Sequence, residues 1–303
     1  MQHFKLIFFV LMTFLLGCSS SESTIPQDPQ IVVAEPLAPP IKKVKVALIL
    51  GAGGSRGMAH LGVLEVLEEH GIKVDLIVGC SAGSIVGALY ADNPDALAIR
   101  NILINVKSKE LLDPSLFSAL QSPWRPKGPV QGHLLKKFIY DKLSVDDFQD
   151  LQIPFIAVAT DLLTGKLVLL RSGPIAPAIL ASCALPPFFT PVHLYGKLLV
   201  DGGVIDPIPV SVAREFEPEI VITVDISPEL KYQMPTNLIS ITTRCSYISY
   251  IELSHLKAHQ ADVVISPKLS DSGTFDDSKN WVLYEAGKKA ALEQLKEIKK
   301  RLK

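Results

Sequence analysis

Gly79-Cys80-Ser81-Ala82-Gly83 lies between an apolar run, Val74 to Val78, and a small-residue helical segment, Ser84 to Ala91. A serine hydroxyl is a weak nucleophile unless it is held clear of the main chain, and a sharp strand-to-helix turn does this by forcing the residue into a strained conformation. Ser81 is therefore a candidate nucleophile toward an acyl carbon. Gly79 and Gly83 carry no Cβ atoms to collide where strand and helix cross. The helix start turns backbone N–H groups and the positive end of its dipole toward a developing oxyanion.

A second glycine-rich turn, Gly51-Ala52-Gly53-Gly54-Ser55-Arg56-Gly57, follows the apolar run Val44 to Leu50 and opens an amphipathic helix that runs to Gly71. Such turns present consecutive N–H groups to an anion. A dinucleotide fingerprint fits poorly: its third glycine would fall at position 56, which is Arg56, and the acidic candidate Asp75 begins the next strand instead of ending it. The turn fits an oxyanion hole, with N–H groups from Gly53 and Gly54, and with Ala82, directly after the serine, supplying another.

The serine needs a base. His60 and His70 precede it, His133, His255 and His259 lie in helical or polar stretches, and only His193 sits in a loop near a strand. Asp201 fits better. It ends the apolar run Leu198-Leu199-Val200 and is followed by Gly202 and Gly203, which let another backbone come close. A carboxylate at a strand's C-terminal end lies on the edge where α/β sheets carry their sites. An acidic turn residue is the alternative for Asp201 on its own.

Taken in order, Gly53-Gly54-Ser55-Arg56-Gly57, Gly79-Cys80-Ser81-Ala82-Gly83, the segment Ala181 to Phe189 and Asp201-Gly202-Gly203 resemble the motif blocks of patatin-like phospholipases, and specifically the compact bacterial branch related to neuropathy target esterase. The resemblance spans about residues 44 to 227. It implies a patatin-like three-layer α/β/α fold with a mainly parallel central sheet, and a Ser81–Asp201 dyad in place of a triad. It also implies hydrolysis of acyl esters in phospholipids or lysophospholipids, with Arg56, Gly57, Gly79, Gly83, Gly202 and Gly203 as supporting motif residues. Ala52 departs from the glycine found in many members, which bears on the geometry of the loop. This chemistry needs no cofactor or metal, and the pair His255 and His259 lacks the glutamate of a zinc protease motif and a third ligand.

The N-terminus addresses the compartment. Lys5 precedes an apolar run from Leu6 to Leu16 that is short of the roughly 20 residues of a bilayer span, and Leu15-Leu16-Gly17-Cys18 resembles a bacterial lipobox. Residues 1–17 read as a lipoprotein signal peptide, with lipid attached to Cys18 after cleavage. Ser19 resembles the signal for transfer to the outer membrane, so the expected location is the cell envelope, lipid-anchored and facing the periplasm. Residues 18–43, Ser-rich and then dotted with Pro26, Pro29, Pro36, Pro39 and Pro40, read as an extended tether.

The elements that must position the chemistry fit one domain over residues 44–303. Buried parallel strands are expected at Val44–Leu50, Val74–Val78, Pro154–Ala159 and Ile220–Val224, with shorter ones at Leu167–Leu170, Lys197–Val200 and Val263–Ile265. Residues 108–130 form either a cover over the site or a plain surface connection. Val282 to Lys303 carries seven basic and three acidic side chains, and Ala291, Leu295, Ile298 and Leu302 share a helical face that docks on the domain or touches anionic lipid. Loss of Lys5 with the leader takes the formal net charge from −1 to −2, which argues against a nucleic-acid partner. Cys80, Cys183 and Cys245 would then remain, an odd number with no disulfide framework, and the first two read as buried small apolar residues. Two competing functions stand beside hydrolysis: a non-catalytic lipoprotein that binds lipid or a partner in the same pocket, and an acyltransferase that uses the same acyl-enzyme.

Overall fold

The structure, a computed structural model, describes residues 38, 40–41, 43–113, 130–230, 232, 234–269 and 273–303. The leader, Cys18, most of the tether and most of the expected cover at 108–130 lie outside these residues.

Runs rich in Val, Ile and Leu build the centre of the sheet, because a strand covered on both faces needs apolar side chains at every position. β1 (Val46–Leu50), β2 (Leu76–Cys80), β3 (Phe155–Asp161) and β7 (Ile220–Val224) are buried along their whole length. With β8 (Val263–Ile265) they form a parallel block in the order β3-β2-β1-β7-β8. β4 (Leu167–Leu170), β5 (Val192–Leu194) and β6 (Lys197–Asp201) join antiparallel, so the sheet is mixed. β5 is a strand where the sequence predicts a loop; Tyr195 and Gly196, both at positive φ, turn it back onto β6.

Register decides how these strands share β3. Ala157 and Val158 pair with β2 on one edge and β4 on the other, while Ala159 and Thr160 pair with β6 and β4. β2 and β6 therefore occupy successive halves of one edge of β3.

Side chains alternate across β1 and separate two cores. Val46, Leu48 and Leu50 face the layer containing α1 (Met58–Glu69), α2 (Ala82–Asp92), α3 (Ala96–Leu103), α6 (Ile175–Ser182) and α9 (Asn280–Arg301). Ala47 and Ile49 face α7 (Val210–Arg214) and α8 (Leu238–Ala258). The result is a three-layer α/β/α domain. Two further helices, α4 (Ser108–Leu111) and α5 (His133–Lys142), flank the segment outside the described residues. α9 docks on α1 through Ala290, Ala291 and Ile298, with Leu295 and Leu302 packed at the edge of the core. At the same contact Gly62 lies against the main chain at Tyr284, and Gly287 against that at Ala59.

Candidate active site

β2 runs to Cys80 and α2 begins at Ala82, which leaves Ser81 alone to make the turn, at φ 53 and ψ −121. A non-glycine residue there stores on the order of 1–3 kcal/mol of strain and persists only where its surroundings over-determine it. They do so here. The Ser81 N–H donates to Ser182 Oγ at 3.0 Å. Its carbonyl accepts from Ser84 Oγ at 2.6 Å and from the Ser84 N–H at 2.8 Å. A Cβ on Gly83 would fall on the Leu50 carbonyl, and one on Gly79 would lie 2.6 Å from the Gly83 carbonyl. Neither position admits a side chain.

Asp201 reaches the same point from the opposite direction. Because β6 is antiparallel to β3, the rule that parallel strands gather sites at their C-terminal edge does not account for it. Its place follows from the shared edge: Cys80 pairs opposite Val158 and Asp201 opposite Ala159, so β2 and β6 end against each other. The Asp201 N–H donates to the Ala184 carbonyl at 3.0 Å, and its carbonyl accepts from Thr160 Oγ1 at 3.0 Å. Burial raises its carboxyl from 3.8 to about 6, while the neighbouring Ser81 hydroxyl, the Gly203 N–H and the Cys80 thiol act to lower it. The Gly203 bond, to Oδ1, measures 2.7 Å.

Ser182 and Ala184 thus hold Ser81 and Asp201 from one short segment. In the sequence Ser182 stands inside the Ala181 to Phe189 block with no role of its own marked out. Its signal was a polar residue in an otherwise small and apolar run.

The glycine turn is held peptide by peptide. The Gly51 N–H donates to the Val224 carbonyl at 3.2 Å, the Ala52 N–H to Pro207 at 3.0 Å and the Ser55 N–H to Thr274 at 2.8 Å. Among the described residues, nothing accepts from the N–H groups of Gly53, Gly54 or Ala82. Gly54 sits at φ +59 with the Thr274 carbonyl where a Cβ would be, so both its angles and its neighbour demand glycine. Arg56 is buried and donates through Nε to the Ile226 carbonyl at 3.1 Å, while Gly57 brings the turn against Ala82. Ala52 is accommodated, with its carbonyl accepting from the Tyr250 hydroxyl.

Among the described residues no histidine hydrogen-bonds to Ser81 or Asp201. His60 is buried with Nε2 2.9 Å from the Gly51 carbonyl. Burial lowers its imidazole to about 4, against that bond, which raises it. His193 is exposed on β5, and His255 and His259 are exposed at the end of α8. Cys80 and Cys183 are buried free thiols, and Cys245 is exposed.

Ser81, Asp201, Gly53, Gly54 and Ala82 line a cavity of about 570 Å³. Its remaining wall is largely apolar, with Ile85, Leu135, Leu185, Phe188, Phe189 and Phe275 prominent. Phe188 and Phe275 meet edge to face, with ring centroids 5.4 Å apart.

A strained serine after a central strand, a buried aspartate and a glycine turn thus meet at one cavity of an α/β fold. Residues 48–214, more than half of the chain, match the family model for patatin-like phospholipases, and the chain belongs to that family. An uncharacterised NTE family protein of Mycobacterium tuberculosis is 36% identical over 191 residues, which cover 60% of this chain and 49% of that protein. Lysophospholipase NTE1 of Cryptococcus neoformans is 35% identical over 191 residues, 60% of this chain and 11% of that protein. The chain spans about half the length of the mycobacterial relatives it matches. Among solved structures, VipD from Legionella pneumophila is similar in fold, with a TM-score of 0.54 at 14% identity, covering 86% of this chain and 68% of that one.

Proposed function

We propose that the protein is a serine esterase that hydrolyses acyl ester bonds of phospholipids or lysophospholipids through a dyad of Ser81 and Asp201. The observation that carries this reading is the placement of a strained Ser81 and a buried Asp201, its carboxyl lifted by burial to about 6, together in the wall of one apolar cavity. A carboxyl at that value is a stronger base than an ordinary one and is still ionised at neutral pH.

In the reaction Ser81 Oγ adds to the ester carbonyl carbon while its proton passes to Asp201. The tetrahedral oxygen takes hydrogen bonds from Gly53, Gly54 and Ala82, whose N–H groups are otherwise unengaged among the described residues. The intermediate collapses, the C–O bond to the leaving alcohol breaks, and that oxygen takes the proton from Asp201. Water repeats the sequence on the acyl-enzyme, giving the fatty acid and restoring the serine. An alcohol in place of water would make the same acyl-enzyme an acyl donor.

Incubation with a fluorophosphonate probe and a short-chain nitrophenyl ester tests the reading. Wild-type protein should label and turn over, and folded Ser81→Ala should do neither, with a loss of about 10³-fold or more. Undiminished hydrolysis by that variant would end the serine-esterase reading.

The expected location is the bacterial envelope, anchored by lipid on Cys18 at the outer membrane and facing the periplasm, with residues 18–43 as the tether. This rests on the lipobox-like Leu15-Leu16-Gly17-Cys18 and on Ser19. Mass spectrometry of the N-terminal peptide checks it: a chain beginning at Cys18 with added acyl groups supports the anchor, and an unmodified Cys18 removes it.

A further inference from the structure

We propose that Tyr250 is a positioning residue that aims the Gly53 N–H at the substrate's acyl oxygen by holding the other end of the same peptide unit. The proposal rests on the esterase reading above and adds a residue from α8 to the machinery. The Tyr250 hydroxyl donates to the Ala52 carbonyl at 2.5 Å. A peptide unit is planar and trans, so the Ala52 carbonyl and the Gly53 N–H lie in one plane and point in opposite directions. Fixing the carbonyl fixes the line along which the N–H points.

This unit depends on one bond. The preceding unit is held at both ends, its Gly51 carbonyl by His60 Nε2 at 2.9 Å and its Ala52 N–H by the Pro207 carbonyl at 3.0 Å. Further along, the Ser55 N–H and hydroxyl both reach the Thr274 carbonyl, at 2.8 and 3.0 Å. Between them the Ala52–Gly53 unit is tied only at its carbonyl, while among the described residues its N–H has no acceptor and Gly53 lines the cavity beside Ser81. Gly53 brings no side chain of its own to resist rotation. The nearest brace is Ile226, whose Cδ1 lies 2.5 Å from where a Cβ would stand, and a methyl group restricts swing without setting direction.

The tyrosine is suited to the task. Burial pushes its phenol up, so the proton it donates stays on at any working pH. Its ring stacks on Tyr247 with centroids 6.3 Å apart, which keeps the hydroxyl in place from a long helix. A donor aimed in advance costs no reorganisation when the oxyanion forms, which is where its value to catalysis lies.

The test is Tyr250→Phe in the full chain, which keeps the ring and removes only the hydroxyl. On a soluble nitrophenyl ester kcat should fall about 10- to 100-fold, less than or comparable to the loss of a whole oxyanion donor, with KM within about twofold. Affinity for a trifluoromethyl ketone, which forms an oxyanion on Ser81, should fall by a similar factor. The matching secondary alcohol, which forms none, should bind as before. Tyr250→4-aminophenylalanine keeps a donor in the same place and should restore most of kcat. If Tyr250→Phe does not fold, 4-fluorophenylalanine, which fills the hydroxyl's place without a proton to donate, is the variant to read. An unchanged kcat overturns the proposal, as does an equal loss of ketone and alcohol binding, which marks a deformed pocket. With Ser81→Ala inactive, such a result removes Tyr250 alone; a folded, active Ser81→Ala removes the esterase reading and this inference with it.

Discussion

Cys80 and Asp201 end two strands that run toward each other along one edge of β3, Cys80 opposite Val158 and Asp201 opposite the next residue, Ala159. The chain leaves β2 at Cys80, so Ser81 has to turn away at once, and it does so beside the Asp201 carboxylate. Strand register, more than loop conformation, brings hydroxyl and carboxylate together. Sites positioned by strands are held more tightly than sites on loops.

The strain at Ser81 is measurable. Ser81→Ala removes the hydroxyl and keeps the Cβ at φ 53, whereas Ser81→Gly removes both. Thermal unfolding should find the glycine variant more stable than the alanine variant by roughly 1–2 kcal/mol, although glycine gains entropy when unfolded. Equal or reversed stabilities would mean that the turn is unstrained.

Activity should follow the ionisation of Asp201. With the carboxyl raised to about 6, kcat/KM should climb with pH, bend near pH 6 and stay level above it. Asp201→Asn should lose about 10³-fold at pH 8, since an amide cannot accept the serine proton. A limb near pH 4 would show that burial does not raise this group.

Stability should carry two opposing slopes. Folded Asp201 binds its proton more tightly than an unfolded carboxylate at 3.8, so its contribution falls as pH rises from about 4 to 6 and is constant above. Folded His60, at about 4 against 6.5 unfolded, binds its proton less tightly, so its contribution falls as pH drops through that interval. Relative to wild type, Asp201→Asn should gain on the order of 2–3 kcal/mol at pH 8 and lose that advantage toward pH 4. Urea midpoints at pH 4.5, 6 and 8 measure it, and a constant difference would contradict the assignment.

Gly54 and Gly53 should respond differently to alanine. At Gly54 the new methyl meets a backbone carbonyl and the φ of +59 is unfavourable, so Gly54→Ala should cost several kcal/mol, of order 3. Gly53, at φ 170, lies outside the left-handed region, and its methyl would meet the Ile226 side chain, Cδ1 at 2.5 Å and Cγ1 at 2.8 Å, with the Ile226 carbonyl at ordinary contact distance. Gly53→Ala should therefore be milder, because a flexible side chain can give way, and partly repaired by Ile226→Ala, which removes both atoms, in both melting temperature and kcat/KM. Equal damage at the two positions would refute this picture of the turn.

His193 should be dispensable. It is exposed on β5, so His193→Gln should keep kcat/KM within about twofold, as surface substitutions usually do. A loss of 10³-fold there, with a mild effect at Asp201, would mean that a triad operates instead of a dyad.

The strands β1, β2, β3 and β7, the turn at Ser81 and the glycine turn are legible in the sequence because each is written in adjacent residues. An apolar run of five announces a covered strand, and a glycine two places on either side of a serine announces a tight crossing. The face of α9 that docks is likewise legible from the spacing of Ala291 and Ile298, though only packing against α1 chose the domain over a lipid surface. Other features depend on partners distant in the chain. The direction of β6, its place beyond β2 on β3, and the strand at Val192–Leu194 are settled by which edges remain open after the parallel block has formed. The bond from Ser182 to Ser81 spans 101 positions and that from Tyr250 to Ala52 spans 198. The raised carboxyl of Asp201 belongs to the same class, because desolvation is a property of everything packed around a group and leaves no mark in its neighbours along the chain.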